Sequence, residues 1–113
     1  MVKNKNNSEY YNWGENCEGW RMSDGEALSV IRESMPPGTA ETEHHHNKSR
    51  QFFFILKGMA ELEIDGKIFS LGDGEGIEIP PKASHRIWND SDDKVEFLVI
   101  SSPTTKGDRI NHQ

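Results

Sequence analysis

No stretch of this 113-residue chain holds a convincing 3.6-residue hydrophobic period over a helical length. From residue 27 onward it breaks instead into short apolar runs bounded by Pro, Gly, Asn and Asp. Residues 27–35 read as a strand stopped by Pro36-Pro37-Gly38. Residues 49–56 read as a second, so apolar at Phe52, Phe53, Phe54, Ile55 and Leu56 that burial on both faces is expected. Residues 59–64 alternate, with Ala60, Leu62 and Ile64 on one face and Glu61 and Glu63 on the other. Asp65-Gly66 is the strongest hairpin signal in the chain, with 67–71 as the return strand. Gly72-Asp73-Gly74 leads into 76–79, Pro80-Pro81 ends it, and 84–89 and 95–101 complete the series. Short strands at near-regular spacing predict an all-β sandwich or barrel, and closure into a barrel would leave no exposed sheet edge.

Within this frame lies a cluster of histidines. Strand side chains alternate, so His44 and His46 are expected to share a face while His45 points away. Gln51 shares a face with Phe53 and Ile55. In the later segment His85 shares one with Ile87 and Asn89, while Arg86 and Trp88 face outward. Two histidines from one strand and one from a distant strand converge only if the sheet curls. Three imidazoles and a fourth donor suit a first-row transition metal.

Gly38-x5-His44-x-His46-x4-Gln51-x6-Gly58 resembles the first cupin motif, and Gly74-x5-Pro80-x-Lys82-x2-His85-x3-Asn89 resembles the second. The two occur in order, separated by one hairpin, and the resemblance covers about residues 28–101. It implies a cupin double-stranded β-helix, or jelly-roll barrel, often a homodimer, with a metal held by the motif residues: here His44, His46, Gln51 and His85. The implied ion is a divalent transition metal: Ni, Zn, Fe, Co or Mn. Two positions depart from the pattern. Lys82 stands where a glycine is usual, which concerns a turn. Gln51 stands where a glutamate is usual, which removes a negative charge and leaves a bound ion its full +2. Such an ion is a stronger Lewis acid with a preference for anionic ligands. The alternative is that Gln51 marks a degenerate site without metal.

The flanks are read from composition. Residues 1–25 form an N-terminal arm, disordered in part over the first nine, whose Tyr10, Tyr11, Trp13 and Trp20 are expected to pack on the barrel or a partner. Residues 26–103 form the barrel, and 104–113 a polar tail with an exposed His112. A net charge of −6 argues against nucleic acid. No apolar run approaches a membrane span and no secretory leader is visible. The single Cys17 suits a reducing, cytoplasmic setting and is expected to be inert.

The expected function is a metal-binding cupin acting on a small oxygenated molecule, such as a sugar or sugar acid, by isomerase, lyase or ring-opening chemistry. A non-catalytic small-molecule-binding module and a metal-dependent dioxygenase are the alternatives, and whether the chain is an enzyme stays open. Arg32, Phe53, Ile55 and Ile87 are the expected pocket-lining residues, with Arg32 a possible carboxylate clamp. No general base stands out in the sequence.

Overall fold

The computed structural model describes residues 1–112, and eleven strands follow one another along them. They are β1 (Glu9–Trp13), β2 (Cys17–Asp24), β3 (Ser29–Met35), β4 (His44–His46), β5 (Arg50–Lys57), β6 (Ala60–Ile64), β7 (Lys67–Leu71), β8 (Gly76–Ile79), β9 (His85–Trp88), β10 (Val95–Ser102) and β11 (Arg109–Asn111). They form two antiparallel sheets, ordered β1-β2-β3-β10-β5-β8 and β11-β4-β9-β6-β7. Met35, Phe53, Ile55, Phe97 and Val99 from the first sheet share one core with Ala60, Leu62 and Ile87 from the second. Phe53 stacks on Phe97 with ring centroids 5.9 Å apart. Side chains of this size contribute about 1.5–3 kcal/mol each when fully buried. The two inner faces close as the jelly-roll barrel that the strand pattern predicts.

Local chemistry explains the corners. Asp65 and Gly66 both have positive φ, 48° and 84°, as a two-residue hairpin turn between β6 and β7 requires. Lys82 also has positive φ, 73°, at the position where the motif usually holds glycine. Its backbone N–H donates to the His46 carbonyl at 2.6 Å, which links the turn before β9 to β4. Asn89 is fully buried and ties the β9–β10 turn, donating to the carbonyls of Met35 and Asp93.

Two expectations, for β5 and for His112, are corrected, and the arm and tail take definite form. β5 is not buried on both faces: Gln51, Phe53 and Ile55 point inward, whereas Phe52 is exposed and Phe54 and Leu56 half-buried. The outward rings cover backbone instead, since a Cβ on Gly76 of the neighbouring strand would lie 2.6 Å from the Phe52 ring. The N-terminal arm is a β1–β2 hairpin that continues the first sheet through β2–β3 pairing, and its start is ordered by a single 3-10 turn, Lys5–Asn7, capped by Asn4. The polar tail turns back to add β11 beside β4. Its His112 is half-buried, with Nε2 2.7 Å from His45 Nδ1 and Nδ1 3.2 Å from Ser84 Oγ. Gln113, the last residue of that expected tail, lies outside the described residues. Among the described residues no helix is long and apolar enough to cross a membrane.

Candidate metal centre

β4 and β9 are neighbours in the second sheet, and His44 pairs in register with His85. The alternation of β4 sends His44 and His46 inward, 2% and 4% exposed, and leaves His45 turned away toward His112. One ligand atom from each of His44, His46 and His85 lies within 4.8 Å of the others. The imidazoles meet at centroid distances of 4.3, 5.0 and 5.5 Å.

Each of these rings has its tautomer set from behind. The Nδ1 of His44 bonds the Thr42 carbonyl at 2.8 Å, that of His85 the Ala83 carbonyl at 2.9 Å and that of His46 the Asp108 carbonyl at 3.2 Å. A carbonyl only accepts, so all three Nδ1 atoms carry the proton and all three Nε2 atoms keep their lone pairs. Burial holds the imidazoles neutral, His44 down to about 3, His85 down to about 4 and His46 below its ordinary value.

Gln51 enters from the other sheet, on β5. Its Nε2 donates to Ser101 Oγ at 3.1 Å, which leaves Oε1 free. Among the described residues, the buried side-chain polar atoms without a hydrogen-bond partner are Gln51 Oε1 and His85 Nε2. An orphaned buried acceptor costs about 1–3 kcal/mol. Both orphans are lone-pair donors of metal-ligand type, so the residues present fit a divalent ion held by nitrogen and oxygen.

His44 and His46 open on a cavity of about 460 Å³ between the sheets, lined also by Gln51 and Phe53 and by residues that sequence reasoning missed, while His85 sits behind them. Glu33 on β3 and Glu41, just before β4, place two carboxylates there. Burial raises Glu33 to about 7, and burial together with the neighbouring Glu33 raises Glu41 to about 8. Tyr11 Oη donates to Glu33 Oε2 at 2.7 Å. The Tyr11 ring lies against Gly19, where a Cβ would approach within 2.2 Å, and carries the Arg21 guanidinium at 4.6 Å. Arg109 of β11 stands 3.8 Å from Glu41 and also lines the cavity.

Of the four pocket residues expected from sequence, only Phe53 lines this cavity. Ile55 and Ile87 are sealed in the core. Arg32 faces out of the barrel, its Nε and Nη2 3.1 and 2.7 Å from Glu96, which Lys5 also reaches. β3 runs in the opposite register to an inward Arg32, with Ile31 and Glu33 facing the cavity. The apolar Ile31 and Met35 flanking Glu33 at two-residue spacing carried that signal. Glu41 lies outside any strand and Arg109 in a polar tail, so no periodicity marks either.

Comparison with known proteins agrees with this geometry. "Polyketide synthase CurC" of Streptomyces cyaneus is 31% identical over 78 residues, 69% of this chain and 51% of that protein. The chain thus spans about half the length of that curated relative, and 63% and 59% of the next two. KdgF from a Halomonas species has the same fold, with a TM-score of 0.83 at 16% identity over 92% of this chain and 94% of that one. So does Streptomyces Pac13, described as a nucleoside dehydratase, with a TM-score of 0.84 at 15% identity over 100% and 91%. Residues 31–101 match the family described as the cupin domain, a span that holds both histidine motifs and the barrel that brings them together; the chain is a member of the cupin family.

Proposed function

We propose that this cupin is a metal-dependent enzyme that moves a proton on a small hydroxylated molecule, a sugar or sugar acid, in isomerase, lyase or ring-opening chemistry. The observation that carries the reading is one cavity in which His44, His46 and the unpartnered Gln51 Oε1 meet two half-buried carboxylates, Glu33 and Glu41, with the third imidazole, His85, directly behind. His44, His46, His85 and Gln51 would hold the ion, which when bound supplies Lewis-acid polarisation of a substrate oxygen, with no ligand charge to offset its own.

The chain's own residues supply the rest. Glu33 and Glu41 face the same space and have proton affinities raised toward neutrality, as general acids and bases need. The Tyr11 hydroxyl fixes the rotamer of Glu33 from one side. Arg109 and Arg21 bring positive charge to the rim and favour an anionic group on the ligand. The likeness to a nucleoside dehydratase whose variants are solved with uridine supports a small polyol as occupant. The same reading includes a homodimer in the cytoplasm, to which the buried free thiol of Cys17 is suited.

The test begins with metal analysis of untagged protein. Metal-loaded protein is then incubated in deuterium oxide with aldonic, uronic and 2-oxo sugar acids, and proton NMR follows deuterium entry and product. Exchange or turnover that Glu33→Gln removes is expected. Tight binding of one of these acids with no exchange would overturn the enzymatic reading in favour of a binding module.

A further inference from the structure

We propose that Asp108 is the positioning residue of His46, and that the C-terminal strand it anchors sets how fast the site releases its metal. The inference rests on the metal-site reading above. Three observations on one residue carry it. The Asp108 carbonyl is the partner of His46 Nδ1, at 3.2 Å. The Asp108 carboxylate accepts the backbone N–H groups of Asn47 at 3.0 Å and of Lys48 and Ser49 at 2.9 Å, the three residues that follow His46. From Asp108 the chain runs directly into β11, which pairs with β4 at Arg109–His46, Ile110–His45 and Asn111–His44.

The counterparts of this arrangement differ. His44 and His85 are held by carbonyls two residues before them in their own segments, Thr42 and Ala83. His46 alone of the three is oriented by a residue 62 positions away, so its ring is as steady as the strap that brings that carbonyl to it. The strap itself has little apolar anchorage: Arg109, Ile110 and Asn111 are all exposed, and β11 pairs with β4 alone. Segments held mainly by exposed backbone hydrogen bonds open at low free-energy cost. Opening here would remove the His46 partner and uncover the cavity, because Arg109 and Asn111 leave its lining together. The carboxylate opposes that opening by tying three amides of the β4–β5 connection to the strap at once. Loss of such an outer partner weakens metal affinity by roughly 10- to 100-fold.

The experiment uses Co²⁺ alone as probe. The protein is loaded with Co²⁺, its visible bands are recorded, and their decay is timed in excess chelator for the parent, Asp108→Ala, Asp108→Asn and Lys106→Ala. Lys106 sits on the same strap, pairs with Asp24 and does not line the cavity, so its loss should leave the decay unchanged. Asp108→Ala keeps the backbone carbonyl but frees the strap that carries it, so Co²⁺ should be released several-fold faster, up to the roughly 10- to 100-fold set by full loss of an outer partner, with shifted bands, and Asp108→Asn should fall between. If Asp108→Ala does not fold, Asp108→Asn is read on the same clock. Release within twofold of the parent with unchanged bands, in either variant that folds, overturns the inference while leaving the metal site intact. Failure of the parent to take up Co²⁺ overturns the site reading itself.

Discussion

Replacing Gln51 by Leu should be nearly neutral without metal and costly with it. In the metal-free protein Gln51 is 5% exposed with Oε1 unpartnered, a cost of about 1–3 kcal/mol. Leu is of similar size, carries no polar atom and continues the inward apolar face of Phe53 and Ile55. The change also strips the Ser101 hydroxyl, 2% exposed, of its amide partner, a loss of about 1–3 kcal/mol. The two costs are alike and offset, so the metal-free variant should stay within about 1 kcal/mol of the parent, a few degrees in melting temperature for a domain of this size. With metal the parent pulls ahead. A ligand at a hundred times its dissociation constant stabilises by about 2.7 kcal/mol, and most of that gain should vanish when a ligand atom is missing. Calorimetric melting of both proteins, stripped with chelator and then titrated with Ni²⁺, Zn²⁺ or Co²⁺, reads both states. A stripped variant more than about 1 kcal/mol less stable than the parent, with an undiminished response to metal, would refute the argument. Gln51 would then be a structural amide and the orphaned oxygen an incidental one.

The remaining predictions concern pH and backbone. In metal-free protein, stability from the neutral state of His44 and His85 is present above the ordinary imidazole value of 6.5 and is lost as pH falls toward 4 and 3. Stability from the protonated state of Glu33 and Glu41 is full below the ordinary carboxyl value of 4.5 and is lost as pH rises through 7 and 8. The two trends offset between 4.5 and 6.5, so urea melts should show a plateau there and a decline on either side, steepest at about 1.4 kcal/mol per proton per pH unit. A midpoint still climbing at pH 8.5 would contradict the raised carboxyls. Lys82→Gly removes a left-handed penalty of about 1–2 kcal/mol and adds about 0.5–1 kcal/mol of unfolded-chain entropy, so it should raise stability slightly; a loss above 1 kcal/mol would show that the Lys82 side chain repays its φ of 73°.

The barrel was readable because its strands obey a period of two and its corners carry turn residues with a mechanism, as at Asp65-Gly66 and Asn89. The inward pair His44 and His46 followed from the same alternation. What escaped had no period to betray it. β5 looked doubly buried because aromatic rings pack well on an outer sheet face too, where Phe52 shields Gly76. Arg32 and Glu33 are adjacent and polar, and the short alternation of Ile31 and Met35 around Glu33, which the pairing of β3 with β10 enforces, is a faint signal for which one enters the barrel. β11 is three exposed residues, Ile110 between the polar Arg109 and Asn111, whose strand conformation comes from β4 and from the Asp108 carboxylate. Glu41 enters the cavity from a segment tied to β9 by an isolated Ala40–Trp88 bridge and not from a strand of its own.

The β1–β2 hairpin and the β11 strand both lie outside the 31–101 span that defines the family, yet they bring Tyr11, Trp13, Arg21, Arg109 and Asn111 to the cavity rim. The residues that would hold an ion and these rim residues are thus encoded in separate stretches of chain, which meet where the Asp108 carbonyl reaches His46. A graft that exchanges these two flanks between cupins, leaving the strands of both motifs untouched, would transplant the ligand preference of one onto the metal of the other.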